Sequence, residues 1–312
     1  MWDENKMNIL YCGDAGIFDG VLISILSLIR NGQKQFDGEK MCEIKNPNAG
    51  KNADDTIEIS DRPIFQIYIM TIEYENMKPF PKKQAKILDE LVKKANPQNF
   101  VKLIDATEVF VKNLPKKNMG TYFTPCAMLR LYMDKVPELT ECERILYLDY
   151  DVVARGDIAE FYDTDLTGVE VAGVLDIYGR RWYHYRGLLK QDYMNSGVML
   201  FNMEECRKTR MFERAAKICA EKWMLLPDQS ALNRAIDRRK LMPRKFNEQE
   251  ERPQKDTVLH HFSNNFKFWP YFRVQKVKPF EVEKVHKILK ITEYDDILEE
   301  YQIIKHKQEE KK

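Results

Sequence analysis

The sequence predicts an α/β fold in which helices flank a central sheet, and three observations support this class. Met7–Cys12 is a short apolar segment that stops at Gly13-Asp14, as expected for a buried strand that ends in a loop. Val21–Arg30 then has helical character and stops at Asn31-Gly32. Further apolar segments alternate with helical ones along the chain. Strand, loop and helix in this order form the first unit of a doubly wound sheet.

The remaining elements follow from the same patterns. Strands are predicted at Phe65–Met70, Val101–Ile104, Arg144–Asp149, Val169–Leu175, Gly197–Phe201 and Thr257–Phe262. Helices are predicted at Pro81–Lys94, Tyr122–Asp134, Glu204–Trp223, Asp228–Ile236 and Phe280–Lys312. The segment 33–62 is rich in Gly, Asn, Asp and Lys without sustained periodicity, which indicates an exposed insertion. We therefore expect one domain over residues 1–269 and a C-terminal helical extension over residues 270–312.

The bulk composition restricts the partners and the compartment. The 312 residues contain 50 Lys and Arg against 49 Asp and Glu, and this balance gives no reason to expect a nucleic-acid partner. The six cysteines show no metal-ligand spacing, which is typical of reduced thiols. No signal peptide or membrane span is apparent. We expect a cytoplasmic protein, with weak peripheral contact at the inner face of a membrane left open for the charged C-terminal helix.

The central chemical signal is a pair of carboxylates, Asp149 and Asp151, which follow the apolar strand Ile145–Leu148. Alternation along a strand would place both side chains on one face. Two carboxylates at the end of a buried strand repel each other unless a cation lies between them, and Mg²⁺ and Mn²⁺ favour oxygen ligands. A departing diphosphate needs the same kind of ion. The sequence therefore predicts a divalent metal site at the carboxyl end of this strand, where α/β sheets bind ligands.

Four further motifs give these carboxylates a family context. In chain order they are Leu129-Arg130-Leu131, the segment NSGVMLFN at Asn195–Asn202, PDQSALN at Pro227–Asn233 and HFSNNFKFW at His261–Trp269. With the D-x-D strand they resemble the family 8 retaining glycosyltransferases over about Met7–Trp269, a group that includes bacterial lipopolysaccharide galactosyl- and glucosyltransferases and glycogenin. The resemblance implies a GT-A fold, a Rossmann-like mixed sheet flanked by helices. Asn264 stands where the family usually has Gly, and Phe268 where it usually has Pro.

The resemblance also implies the ligands of the metal. Asp149, Asp151 and His261 would bind Mn²⁺, with Mg²⁺ as the second choice, because two oxygens and one nitrogen suit Mn²⁺ better. On a strand the adjacent His260 points to the opposite face, and the six-residue step to Lys267 selects His261. The donor-binding residues would be Asp14, Tyr11, Arg130, Asp176, Asn195 and Lys267.

The catalytic residues implied by the resemblance are Gln229 and Asp228. Gln229 would lie nearest to the β-face of the anomeric carbon. Because an amide is a poor nucleophile, we favour a front-face mechanism in which the leaving phosphate accepts the acceptor's proton and Gln229 supports the oxocarbenium-like state. Asp228 remains a candidate nucleophile. The aromatic cluster at Trp182–Tyr185 is interpreted either as packing or as a platform for the acceptor sugar.

The leading hypothesis is a retaining, Mn²⁺-dependent hexosyltransferase of lipopolysaccharide biosynthesis. It would move glucose or galactose from a UDP-hexose donor to a saccharide or glycolipid acceptor. A nucleotidyltransferase also uses paired carboxylates on an α/β sheet, but Gly13–Gly16 lacks the basic residue expected in its loop. A third hypothesis is a non-catalytic sugar-nucleotide or protein-binding module. The presence of Asp149, Asp151, His261 and Lys267, the residues expected to bind the metal and the phosphates, argues against it.

Overall fold

The structure is a computed structural model that describes residues 5–31, 63–120, 125–179, 192–267 and 273–310. Three predictions lie outside the described part of the chain. They concern the insertion at 33–62, the aromatic cluster at Trp182–Tyr185, and the side chain of Lys267, of which only the backbone is described.

A seven-stranded mixed sheet forms the centre of the molecule, in the order β3-β2-β1-β4-β7-β6-β8. The strands in the described segments are β1 (Lys6–Cys12), β2 (Ile64–Thr71), β3 (Phe100–Asp105), β4 (Arg144–Leu148), β5 (Val152–Ala154), β6 (Val171–Leu175), β7 (Met194–Asn202), β8 (Arg239–Leu241), β9 (Leu259–His261), β10 (Asn265–Lys267) and β11 (Arg273–Gln275). In the seven-stranded sheet only β7 runs antiparallel to its neighbours. The carboxyl ends of β1 and β4 therefore meet at one edge, where a ligand site is expected.

Helices cover both faces of this sheet. They are α1 (Phe18–Asn31), α2 (Lys82–Ala95), α3 (Thr107–Lys112), α4 (Ala159–Tyr162), α5 (Ile177–Gly179), α6 (Met203–Lys208), α7 (Met211–Glu221), α8 (Pro227–Ala235), α9 (Val282–Lys284) and α10 (Asp295–Glu309). Side chains of α1, α2 and α10 pack into one apolar cluster, and those of α7 and α8 pack into another. Because both faces are covered, the central strands are almost uniformly apolar. Within the described ranges, no helix is both long enough and apolar enough to cross a bilayer.

Three predicted helices differ from the observed ones. A 3₁₀ helix at Pro125–Lys135 replaces the α-helix predicted from residue 122. The helix predicted over 204–223 is divided into α6 and α7 at Arg210, and the C-terminal helix is divided before α10 at Lys290. Arg210 and Lys290 have positive φ angles of 56° and 55°, and a left-handed residue cannot continue an α-helix. Asn264 is not among the non-glycine residues with positive φ in the described segments, so it fits its loop without strain.

The described part of the C-terminal extension packs on the sheet domain. Tyr294 stacks on His260 and places its hydroxyl 2.6 Å from the ring Nδ1. The other ring nitrogen, Nε2, lies 2.9 Å from the Glu250 carbonyl oxygen. A carbonyl can only accept, so Nε2 carries the proton and Nδ1 accepts from the Tyr294 hydroxyl. Burial lowers the pKa of His260 to about 4, which keeps this imidazole neutral near pH 7.

The contact between Tyr294 and His260 predicts a measurable coupling. Tyr294→Phe should lower the free energy of unfolding by about 1–2 kcal/mol, because it leaves a buried imidazole nitrogen without its donor. In a His260→Phe background the same change should cost less, and the double-mutant cycle should show a coupling of about 1 kcal/mol. Urea denaturation of the four proteins measures it. Additive effects would mean that this hydrogen bond does not stabilise the docked extension.

Candidate active site

The site lies at the carboxyl end of β4, where the chain turns from β4 into β5. Asp149, Tyr150 and Asp151 form a tight turn, in which the Val152 N–H donates to the Asp149 carbonyl at 3.2 Å. The expectation that strand alternation places both carboxylates on one face is wrong, because β4 ends before Asp149. The turn itself directs the two side chains to the same side. Gly20 of α1 makes room for it, since a Cβ there would lie 2.5 Å from the Tyr150 carbonyl oxygen.

The structure brings the three predicted metal ligands together. Antiparallel pairing of β5 with β9 sets Val152 opposite His261, which carries the imidazole to the turn. The His261 Nε2 atom lies 3.8 Å from Asp149 Oδ2 and 3.4 Å from Asp151 Oδ1. One ligand atom from each of the three residues lies within 4.8 Å of the others, so the group could hold one ion. His260, the alternative ligand, faces the core instead.

Asp149 and His261 each have a second polar side-chain atom, and that atom forms hydrogen bonds with neighbouring residues. Asp149 Oδ1 accepts from the Tyr147 hydroxyl at 2.7 Å and from Arg130 Nη2 at 2.9 Å, which leaves Oδ2 directed at His261. The His261 Nδ1 atom lies 3.2 Å from Asn247 Oδ1. An amide oxygen only accepts, so Nδ1 carries the proton and Nε2 presents its lone pair to the carboxylates. Contacts of this kind orient metal ligands in proteins.

The second oxygen of Asp151 is likewise held by a neighbouring residue, Lys278 of the C-terminal extension. Lys278 Nζ donates to Asp151 Oδ2 and, at 3.2 Å, to the Phe262 carbonyl. Burial alone would raise the pKa of Asp151, but the charge of the Lys278 ammonium holds that pKa well below its usual value. Asp151 Oδ1 is buried and has no hydrogen-bond partner among the described residues. Such an atom is costly unless a cation binds it, so the three residues fit a divalent metal.

Arg130 connects the metal ligands to the predicted catalytic segment. It is only 3% exposed, lies over the Tyr147 ring at 3.9 Å, and donates to the Ser196 carbonyl at 2.6 Å. Its Nε atom lies 3.4 Å from Asp228 Oδ2, so one guanidinium contacts both Asp149 and Asp228. Burial raises the pKa of Asp228, although the charge of Arg130 opposes the shift. Arg130 thus joins the candidate metal ligand Asp149 to Asp228 of the predicted catalytic segment.

The residues predicted for the donor sugar form one buried network. Asp176 Oδ2 accepts from Asn195 Nδ2 at 3.0 Å and from Gln229 Nε2 at 3.2 Å. Gln229 Oε1 accepts from the Ser196 backbone N–H at 3.0 Å and from its hydroxyl at 3.2 Å. Asn195 Oδ1 accepts from Asn247 Nδ2 at 3.0 Å, which joins this network to His261. The orientation of the Gln229 amide is therefore fixed at both ends.

Two predicted nucleotide contacts have different outcomes. Asp14 follows β1 and caps the 3₁₀ turn at Ala15–Ile17, accepting from the Gly16 N–H at 2.8 Å. Parallel pairing of β1 with β4 puts the end of β1, and with it Asp14, at the same edge of the sheet as the Asp149–Asp151 turn. The prediction for Tyr11 is wrong, because Tyr11 is fully buried and its hydroxyl pairs with Ser24 at 2.9 Å. Tyr11 faces the α1 side of the sheet.

Comparison with known proteins agrees with this arrangement. Residues 8–272 match the model of glycosyl transferase family 8. The chain belongs to glycosyl transferase family 8. Among its relatives, a lipopolysaccharide 1,2-glucosyltransferase of Escherichia coli is 29% identical over 41% of this chain and 44% of its own length. A lipopolysaccharide 1,3-galactosyltransferase of Salmonella typhimurium is 25% identical over 54% of this chain and 52% of its own. The matches thus span about half the length of these two relatives.

Solved structures confirm the predicted GT-A fold for this family 8 chain. An active-site mutant of LgtC superimposes with a TM-score of 0.63 at 14% identity, covering 94% of each chain. The galactosyltransferase LgtC in complex with donor and acceptor sugar analogues gives a TM-score of 0.60 at 13% identity, covering 95% of each chain. At these identities the similarity establishes the fold alone.

Sequence reasoning missed three residues that hold the ligands of this family 8 site. Tyr147 lies inside the apolar strand before Asp149, where the sequence pattern shows it only as a buried strand residue. Asn247 lies in no motif, and it is a fully buried Asn that bonds both His261 and Asn195. Lys278 belongs to the extension that was predicted as a separate helical segment.

Substitution of Gly197, in the NSG motif, tests how closely the backbone approaches the candidate metal ligands. A Cβ at this position would lie 2.2 Å from His261 Cε1 and 2.9 Å from Asp149 Oδ2. Gly197→Ala should therefore displace the imidazole and weaken Mn²⁺ binding by about 100-fold, the upper end of the loss seen when ligand-orienting groups are changed.

Gly156→Ala is the matched control for this substitution, because its new Cβ would meet nothing closer than 3.6 Å. Mn²⁺ affinity is measured by electron paramagnetic resonance, and circular dichroism checks that both variants fold. Wild-type Mn²⁺ affinity in Gly197→Ala would contradict the proposed ligand geometry.

Proposed function

We propose that this family 8 member is a retaining glycosyltransferase that moves a hexose from a UDP-hexose to a saccharide or glycolipid acceptor. The observation that carries the proposal is the convergence of Asp149 Oδ2, Asp151 Oδ1 and His261 Nε2 beside a buried polar network. This mixed donor set suits Mn²⁺, with Mg²⁺ as the second candidate. A bound ion of this kind neutralises charge on a departing diphosphate.

The buried network supports a role in binding the donor sugar. Asp176, Asn195 and Gln229 offer fixed donors and acceptors, and a site built this way discriminates against sugars that lack a matching hydroxyl. Asp14 is the candidate contact for the uridine end of the donor, because it follows the carboxyl end of β1, and β1 runs parallel to β4. Lys267 is the candidate contact for the diphosphate on the strength of the family motif.

The hydrogen bonds of Gln229 favour electrostatic support over nucleophilic attack. Both ends of its amide are held, by Asp176 and by Ser196, so the side chain is preorganised without being reactive. Asp228 is less suited to be a nucleophile, because burial raises its pKa and Arg130 occupies its carboxylate. We therefore propose a front-face reaction in which the leaving phosphate takes the acceptor's proton.

The relatives favour a hexose donor and an acceptor of the lipopolysaccharide class. Two of them are named as lipopolysaccharide glucosyl- and galactosyltransferases, which leaves glucose and galactose as the donor candidates. The five cysteines in the described ranges are free and buried, in keeping with a reducing compartment such as the cytoplasm. A glycolipid acceptor would require at least transient contact with a membrane surface. Family membership argues against the nucleotidyltransferase alternative.

The first prediction from this proposal concerns the metal and the donor. With UDP-glucose or UDP-galactose, UDP release should require Mn²⁺, stop on chelation and return when Mn²⁺ is added back. Asp151→Asn should lower UDP release by about 100-fold or more, because it removes a charged ligand of the ion. Asp165→Asn, at an exposed turn, is the matched control and should retain activity. Full UDP release in excess chelator would sink the metal-dependent mechanism.

A second prediction concerns stereochemistry. The product should keep the α configuration of the donor, and Asp228→Asn should slow transfer without changing that outcome, because Asp228 shares Arg130 with Asp149 rather than acting as a base. The coupling constant of the product's anomeric proton, measured by NMR, reports the configuration. A β product would reveal an inverting enzyme with a carboxylate base, contrary to this proposal.

A further inference from the structure

Lys278 lies in the C-terminal extension, yet its ammonium reaches the metal turn. The ammonium contacts Asp151 and lies 5.8 Å from the centroid of the Tyr150 ring. The Lys278 side chain is 20% exposed, so it sits in a partly closed recess. The backbone is fixed as well, because the Lys278 N–H donates to Glu281 Oε2 at 2.9 Å and its carbonyl accepts from the Glu281 N–H at 3.0 Å. These contacts hold a positive charge at a defined position beside Asp151.

Each of the two carboxylates is already paired with a cation. Asp149 contacts Arg130, which also contacts Asp228, and Asp151 contacts Lys278. A bare divalent ion would lose hydration on entering this site and would gain little attraction in return. A nucleoside diphosphate changes the balance, because its phosphate oxygens add negative charge at the same place. Metal and diphosphate should therefore bind together more favourably than the metal alone.

The two cations differ in their freedom to leave. Arg130 has a side chain only 4% exposed and is held by the carbonyls of Ser196 and Ala127 as well as by Asp149. Lys278 has a flexible four-carbon stem, greater exposure and one carbonyl partner besides Asp151, the Phe262 carbonyl at 3.2 Å. Of these two cations, Lys278 is the one that can move while the site remains assembled.

We propose that Lys278 is an internal competitor of the metal at Asp151, which makes tight metal binding depend on the nucleoside diphosphate. Without a donor its ammonium neutralises Asp151 and repels a free divalent ion. When metal and diphosphate enter together, the ammonium moves from Asp151 to the phosphate oxygens. The C-terminal extension thereby takes part in donor binding. This inference rests on the metal site proposed above.

The test compares Mn²⁺ affinity in the absence and presence of UDP. Without UDP, Lys278→Met should bind Mn²⁺ about tenfold more tightly than wild type, because a unit charge close to the ion has been removed. Saturating UDP should tighten Mn²⁺ binding much more in wild type than in Lys278→Met, since only wild type gains the contact between ammonium and phosphate. Electron paramagnetic resonance of free Mn²⁺ gives all four affinities.

Two further variants separate charge from packing. Lys278→Arg keeps the positive charge and should bind free Mn²⁺ as weakly as wild type. Lys287→Met removes an exposed lysine from the same segment, one whose ammonium contacts Glu283 at 3.1 Å, and should leave Mn²⁺ affinity unchanged. Thermal melts verify that each variant is folded.

The outcomes distinguish this inference from the proposed function. Equal or weaker binding of free Mn²⁺ by Lys278→Met would overturn the role of Lys278 while leaving the metal site intact. If Lys278→Arg bound free Mn²⁺ as tightly as Lys278→Met, the change in affinity would come from packing and not from charge. That result would also overturn the proposed role of Lys278. Absence of Mn²⁺ binding by every variant, with or without UDP, would overturn the metal site and the competition together.

Discussion

Repulsion between Asp149 and Asp151 is the constraint on which the rest of the site depends. Both carboxylates are directed to the same side of one turn, and Asp151 is buried there. The protein reduces this repulsion with two cations, one from the segment before β4 and one from the C-terminal extension. Each cation holds one carboxylate oxygen and leaves the other directed at His261. The same contacts that reduce this repulsion therefore also orient the atoms that would bind a metal.

The topology brings distant segments to that turn at short range. Parallel pairing of β1 with β4 aligns their carboxyl ends, and antiparallel pairing of β4 with β7 brings the NSG segment beside Asp149. The small β5–β9 pair supplies His261. These approaches are close enough that Gly20 and Gly197 cannot carry a side chain without moving a neighbour. The backbone therefore packs directly against the candidate ligands. A single methyl group added at Gly20 or Gly197 would disturb their positions.

Local patterns predicted the apolar strands well, because burial on both faces leaves a continuous apolar signal. They predicted helix ends less well, since the left-handed residues Arg210 and Lys290 carry no turn signature such as Gly. The motifs identified the three residues that converge as a candidate metal site and the members of the buried polar network, although strand alternation was the wrong reason for the direction of Asp149 and Asp151. Tyr11 was misplaced because a sequence does not tell which face of a buried strand meets a ligand. Asn247 and Lys278 could not be found, because each acts through a long-range contact that leaves no local pattern.

The central claim is that Asp149, Asp151 and His261 hold one divalent ion through one defined atom each. Crystals grown with Mn²⁺ and UDP, measured near the manganese absorption edge, test it most directly. The account predicts a single anomalous peak bonded to Asp149 Oδ2, Asp151 Oδ1 and His261 Nε2, with the diphosphate completing the coordination. A manganese peak bonded to the opposite atoms of these residues, or a peak away from the turn with UDP bound, would contradict it.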